Sequence, residues 1–232
     1  MKGLHPMGVI NLTRYGAVPA VRKAVIGLFT SAAVISGALS SVSADQIKIV
    51  ALGDSLTQGY GLPAEQGFTA QLQRWLHENG APEVRIINAG VSGDTTAGGL
   101  ARFEWSLAEG GDAVIVELGG NDLLRAIDPT SSRANLDGIL SKAAARSLPV
   151  LLTGMKAPTN YGTEFKQQFD AMYPELAAKY DAIYDPFFLE GMVGQTGLFQ
   201  ADGIHPNREG VAFLVERFGP IVLKLIERAQ QG

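Results

Sequence analysis

From about residue 45 onward, short apolar runs alternate with stretches where apolar residues recur at helical spacing. Residues 47–52 (IKIVAL), bounded by Gly53, read as a buried strand. A glycine-rich turn follows, then Phe68, Leu72, Trp75 and Leu76 on one face of a predicted helix that stops at Asn79-Gly80. Residues 84–87 predict a second strand, and Leu100, Phe103 and Leu107 a second helix closed by Gly110-Gly111. Residues 113–118 (AVIVEL) predict a third strand, and Leu136, Ile139, Leu140 and Ala143 a third helix. Residues 149–153 (PVLLT) form the fourth predicted strand. A fourth helix runs through Phe165, Phe169, Tyr173, Leu176 and Tyr180, with a kink expected at Pro174. Residues 182–184 make a weak fifth strand, and a last helix carries Leu214, Phe218, Ile221, Val222 and Leu225 around Pro220.

Strands alternating with helices predict an α/β domain, with about five parallel strands covered on both faces in a three-layer sandwich. In such a sheet the site lies at the carboxyl ends of the strands.

Residues 1–44 differ from the rest. They hold four basic residues (Lys2, Arg14, Arg22, Lys23) and no acidic one, and residues 24–44 are uncharged. With an apolar run over 25–39 and Val42-Ser43-Ala44 at its exit, the segment is expected to be a signal peptide cleaved after Ala44. The alternative is an uncleaved anchor, but the apolar run is shorter than the ~20 residues a span needs. Initiation at Met1 or Met7 is left open. Domain 45–232 would then be an exported, periplasmic or secreted protein. The segment takes four of the 19 basic residues, leaving 15 basic against 23 acidic. That balance argues against nucleic acid as a partner and against attachment to anionic membranes. The chain has no cysteine, which excludes disulfides, thiolate metal sites and a cysteine nucleophile.

Four polar, glycine-bearing segments follow the predicted strands: Gly53-Asp54-Ser55-Leu56, the stretch around Gly93, Gly119-Gly120-Asn121-Asp122, and Asp202-Gly203-Ile204-His205. Serine is a poor nucleophile without a base. Of the three histidines, His5 lies in the export segment and His77 on a helix face away from its apolar residues, so only His205 can serve Ser55. Asp202, three residues earlier, can fix the imidazole tautomer through Nδ1. The backbone N–H groups of Ser55 and Gly93 and the side-chain amide of Asn121 are candidate donors to an oxyanion. Plainer readings of the same residues exist. Asp54 and Ser55 could cap a helix, Asp94 could serve a turn, and Asn121 or Asp122 could cap the next helix. Glu117, inside a strand, needs a hydrogen-bond partner. A phosphate-binding loop is disfavoured by Asp54 and the absence of lysine, and a metal site at Asp202 and His205 by the absence of a third ligand.

GDSL at 53–56, the Gly93 block, GGND at 119–122 and DGIH at 202–205 resemble the four blocks of the SGNH/GDSL hydrolase family. The runs SGDTTAGG, VELGGNDLLR, APTNYG and DGIHPN are most similar to its bacterial periplasmic acyl-thioesterase, lysophospholipase and arylesterase group. The resemblance implies a flavodoxin-like sandwich of strand order 2-1-3-4-5. It implies Ser55, Asp202 and His205 as catalytic residues and Ser55, Gly93 and Asn121 as the oxyanion hole. It also implies hydrolysis of small-molecule esters or thioesters with no metal or cofactor; a monomer is expected. Leu123, Leu124, Ile127, Pro158 and Tyr161 are expected to contact substrate. Two other readings are a carbohydrate acetylesterase on the same fold and a non-catalytic periplasmic binding protein.

Overall fold

A computed structural model describes residues 46–231. The expected signal segment lies outside the described residues. Five strands, β1 (Ile47–Gly53), β2 (Val84–Gly90), β3 (Ala113–Glu117), β4 (Val150–Thr153) and β5 (Ile183–Asp185), form one sheet in the order β2-β1-β3-β4-β5. Every pairing is parallel, as strand–helix alternation requires. The helices are α1 (Ser55–Gln58), α2 (Phe68–Glu78), α3 (Thr96–Ser106), α4 (Gly120–Leu124), α5 (Pro129–Ala145), α6 (Thr163–Lys179) and α7 (Arg208–Gln231). Packing joins α2 to α7, and joins α3, α5 and α6 in series, giving a helical layer on each side of the sheet.

The central strand β3 is buried at every residue, consistent with its unbroken apolar run closed by a single glutamate. Phe68, Leu72 and Leu76 of α2 and Phe218 and Val222 of α7 bury the faces that their spacing predicts. Strand β2 continues three residues past the expected end, because Asn88, Ala89 and Gly90 pair with Ala51, Leu52 and Gly53. Pro174 and Pro220 both lie inside helices that continue through them. Among the described residues, no helix is long and apolar enough to cross a membrane.

The carboxyl edge of the sheet is unlike its interior. One register row crosses all five strands as Gly90, Gly53, Glu117, Thr153 and Asp185. The Thr153 hydroxyl donates to Asp185 (2.6 Å), which receives the Arg217 guanidinium of α7 (2.6 Å). The functional segments leave the sheet from this edge.

Candidate active site

The turn after β1 is compact because Asp54 Oδ1 accepts the Leu56 N–H (3.0 Å), capping α1 and making Ser55 its first residue. Gly53 has no room for a side chain: a Cβ would lie 2.0 Å from Thr57 Oγ1 and 2.8 Å from Glu117 Oε2. The capping reading of Asp54 and an active role for Ser55 are therefore compatible, since the cap aims the hydroxyl off the sheet edge.

His205 reaches Ser55 from the other end of the chain. Its Nε2 lies 2.8 Å from Ser55 Oγ, and its Nδ1 2.7 Å from Asp202 Oδ2. The other carboxylate oxygen accepts the N–H groups of Ile204 (2.9 Å) and His205 (3.0 Å). These donors, the imidazole first, hold the Asp202 carboxyl down to about 2. An ionised Asp202 can only accept, so Nδ1 carries the proton and Nε2 is free to accept from the serine O–H. The Tyr60 ring leans on the imidazole, 4.7 Å between centroids.

Gly93 and Asn121 complete the edge. Gly93 turns in the left-handed region (φ 82°), and Arg125 donates to its carbonyl (2.8 Å), tying the turn after β2 to the end of α4. Asn121 Nδ2 donates to Asp54 Oδ2 (3.0 Å). Asp94 serves its turn by pairing with Arg102 (2.5 Å), which also donates to the carbonyls of Gly53 (2.8 Å) and Ala89 (2.7 Å). Asp122 is buried, accepting from the Thr96 N–H (2.8 Å) and hydroxyl (2.5 Å) and from Ser132 (2.8 Å). It pins α4 to α3 and α5. His77 is exposed on α2, beside the Val84 carbonyl (2.9 Å), and does not line the cleft that Ser55 and His205 share.

Ser55, Gly93, Asn121 and His205 all line one cleft of about 400 Å³. Leu123 and Leu124 line it too. Ile127, Pro158 and Tyr161 are not among its lining residues, although substrate contact was expected of all three. After α4 the chain turns at Ala126 (φ 50°) and the Ile127 N–H bonds back to the Asp122 carbonyl (2.9 Å), carrying Ile127 away. Tyr161 supports the wall from behind by donating to the Leu123 carbonyl (2.8 Å). Met155, Phe187, Leu189 and Ile204 supply apolar wall that sequence reasoning missed. Met155 follows β4 by two residues, so the strand-end rule could have found it. Phe187 and Leu189 follow β5, whose weak pattern concealed the same signal.

A five-stranded parallel sheet with an Asp–His–Ser line across its carboxyl edge defines a serine hydrolase-like α/β protein. Comparison with known proteins specifies the class. The GDSL-like lipase/acylhydrolase family matches residues 51–213. Esterase TesA of Pseudomonas aeruginosa is 42% identical over 179 residues, 77% of this chain and 89% of TesA. Thioesterase 1/protease 1/lysophospholipase L1 of Escherichia coli K12 is 37% identical over 177 residues, 76% of this chain and 82% of that protein. Among solved structures, the SGNH-hydrolase family esterase AlinE4 superposes with a TM-score of 0.66 at 46% identity, covering 78% of this chain and 97% of AlinE4. The chain belongs to the GDSL-like lipase/acylhydrolase family and is an ester hydrolase.

Proposed function

We propose that the protein hydrolyses carboxylic esters and thioesters of apolar acyl or aryl groups through a Ser55 acyl-enzyme. The observation that carries this reading is the continuous hydrogen-bonded line from Asp202 through His205 to Ser55, ending in an apolar cleft. His205 Nε2 takes the Ser55 proton as Oγ attacks the carbonyl. The oxyanion is received by the N–H groups of Ser55 and Gly93 and by the Asn121 amide. Collapse expels the alcohol or thiol with the proton from His205. Water then attacks the acyl carbonyl as its proton passes to His205, and His205 returns that proton to Ser55 Oγ as the acyl–Oγ bond breaks and the acid leaves.

The largely apolar wall supports an acyl or aryl group over an acetylated sugar, which would call for a polar lining. The names of the two bacterial relatives, esterase and thioesterase/lysophospholipase, support the same range. In this reading residues 1–44 are removed on export, the enzyme acts in the periplasm or outside the cell, and every reacting group comes from one chain, as in a monomer. No metal or cofactor takes part.

An organophosphonate probe should label the protein once, at Ser55, and Ser55→Ala should abolish labelling and hydrolysis together. A p-nitrophenyl ester series and matching acyl thioesters would then define the chain length preferred. Labelling elsewhere, or hydrolysis surviving in folded Ser55→Ala, overturns the reading.

A further inference from the structure

Directly beneath the proposed oxyanion hole lies a pair of carboxyl groups that the reaction above leaves without a task. Glu117 ends β3 and is fully buried; Asp54 is 2% exposed. Thr57 Oγ1 donates to Glu117 Oε2 (2.8 Å), and the Asp54 N–H lies 3.4 Å from the same oxygen. Glu117 Oε1 is sealed from solvent and accepts from nothing. A buried carboxylate with an unserved oxygen beside a second carboxylate is untenable as an anion, whereas a carboxylic acid is not. Burial, and then the Asp54 charge, push the Glu117 carboxyl well above its ordinary range. Burial raises Asp54 as well, but it is drawn the other way by its donors, the Leu56 N–H and the Asn121 amide. One proton kept by the fully buried Glu117 would leave the charge of the pair on Asp54, the carboxyl that has N–H donors at both oxygens.

That charge has a specific use. Asp54 Oδ2 accepts one N–H of the Asn121 amide (3.0 Å). An amide nitrogen has two N–H groups in one plane, so anchoring the first fixes the direction of the second and settles which end of the amide faces the cleft. Gly120, with Asp54 Oδ2 only 3.2 Å from where its Cβ would stand, lets the two segments meet closely.

We propose that Glu117 is a positioning residue for ester hydrolysis: its acid proton is donated to Asp54, and Asp54 in turn orients Asn121 to donate to the oxyanion. The inference rests on the proposed role of Asn121, and its test separates the two. In Glu117→Met, which keeps length and removes the donor, kcat on a p-nitrophenyl ester should fall about 10- to 100-fold with KM changed less than about threefold, a fraction of the cost of losing an oxyanion donor. Glu117→Gln, whose N–H replaces the acid O–H, should recover most of that loss. Because Glu117 works through Asn121, adding Glu117→Met to Asn121→Ala should cost almost nothing further, where independent roles would multiply. Should the Met variant not fold, Asp54→Asn takes its place in the same cycle, with the same expectation. An unchanged kcat in Glu117→Met, an equal loss in Glu117→Gln, or multiplying losses in the double variant overturns the inference. A near-normal kcat in Asn121→Ala overturns instead the oxyanion reading on which it stands.

Discussion

The two halves of the proposed machinery are built differently. On the nucleophile side, Ser55, Gly93 and Asn121 leave the sheet on short turns after β1, β2 and β3. Polar groups hold these turns: the buried Glu117 and Asp54 under Ser55, the buried Asp122 under α4, and the half-buried Arg102 across the ends of β1 and β2. On the base side, Asp202 and His205 ride on residues 186–207, which contain one 3₁₀ turn (Thr196–Leu198) and are largely exposed. Gln200 anchors that loop. Its side chain donates to the carbonyls of Tyr60 (2.8 Å) and Pro206 (3.0 Å), and its N–H to the carbonyl of His205 (2.8 Å). The lesson is one of division. Donors that must meet developing charge are fixed by burial, where reorganisation is costly. The proton carrier is fixed by loop hydrogen bonds and by its own neighbouring carboxylate.

The contrast can be broken at several points. His205→Ala should remove nearly all turnover, on the order of 10⁴–10⁶-fold, because no other base reaches Ser55. Asp202→Asn should cost about 10³–10⁴-fold in kcat with the fold intact, since an amide no longer enforces the tautomer. Steady-state kinetics with circular dichroism on both variants would check this. Asn121→Ala should cost about 10²–10³-fold in kcat with KM little changed. Gln200→Ala should cost about tenfold in kcat through a displaced imidazole, leaving phosphonate labelling at Ser55 slower yet complete.

The smallest effect is thermodynamic. Glu117 keeps its proton in the folded chain at pH values where the unfolded chain, near its ordinary 4.5, has released it. Stability from this group is therefore full below that value and declines as pH rises toward the raised folded one. Asp54 moves in the same direction, and Asp122 and Tyr173 are the other charged or titratable neighbours that matter. Denaturant melts from about pH 5 to 8 should show a shallower decline for Glu117→Gln than for the parent, by at most ~1.4 kcal/mol per pH unit.

Much of the architecture was legible in the chain itself. Continuous apolar runs marked β1, β3 and β4, and helical spacing marked α2, α5 and α7, because burial on a sheet or along one helix face leaves a period. Helices α1 and α4 left no such trace: four and five residues are too short for a period, and they exist because strands end in capped turns. Ser55, Gly93, Asn121, Asp202 and His205 could be nominated from strand-end placement; the cleft collects all but Asp202, which stands behind it on the imidazole Nδ1. Side-chain direction after α4 and after β4 could not be read, which is why Ile127, Pro158 and Tyr161 were expected in the cleft. Nor could the partner of Glu117, which depends on a register between β1 and β3 that pairs Gly53 with Glu117 across 64 positions of sequence.

Arg217 of α7 clasps Asp185 and donates to the carbonyls of Phe187 (3.2 Å) and Phe188 (2.8 Å), where the base-bearing loop begins. A growing polypeptide that has only just emerged through residue 205 already contains every group of the proposed triad, yet it lacks the arginine that ties down the start of the base-bearing loop. The start of that loop is tied to the sheet edge through the closing helix, the last of the described elements to be made.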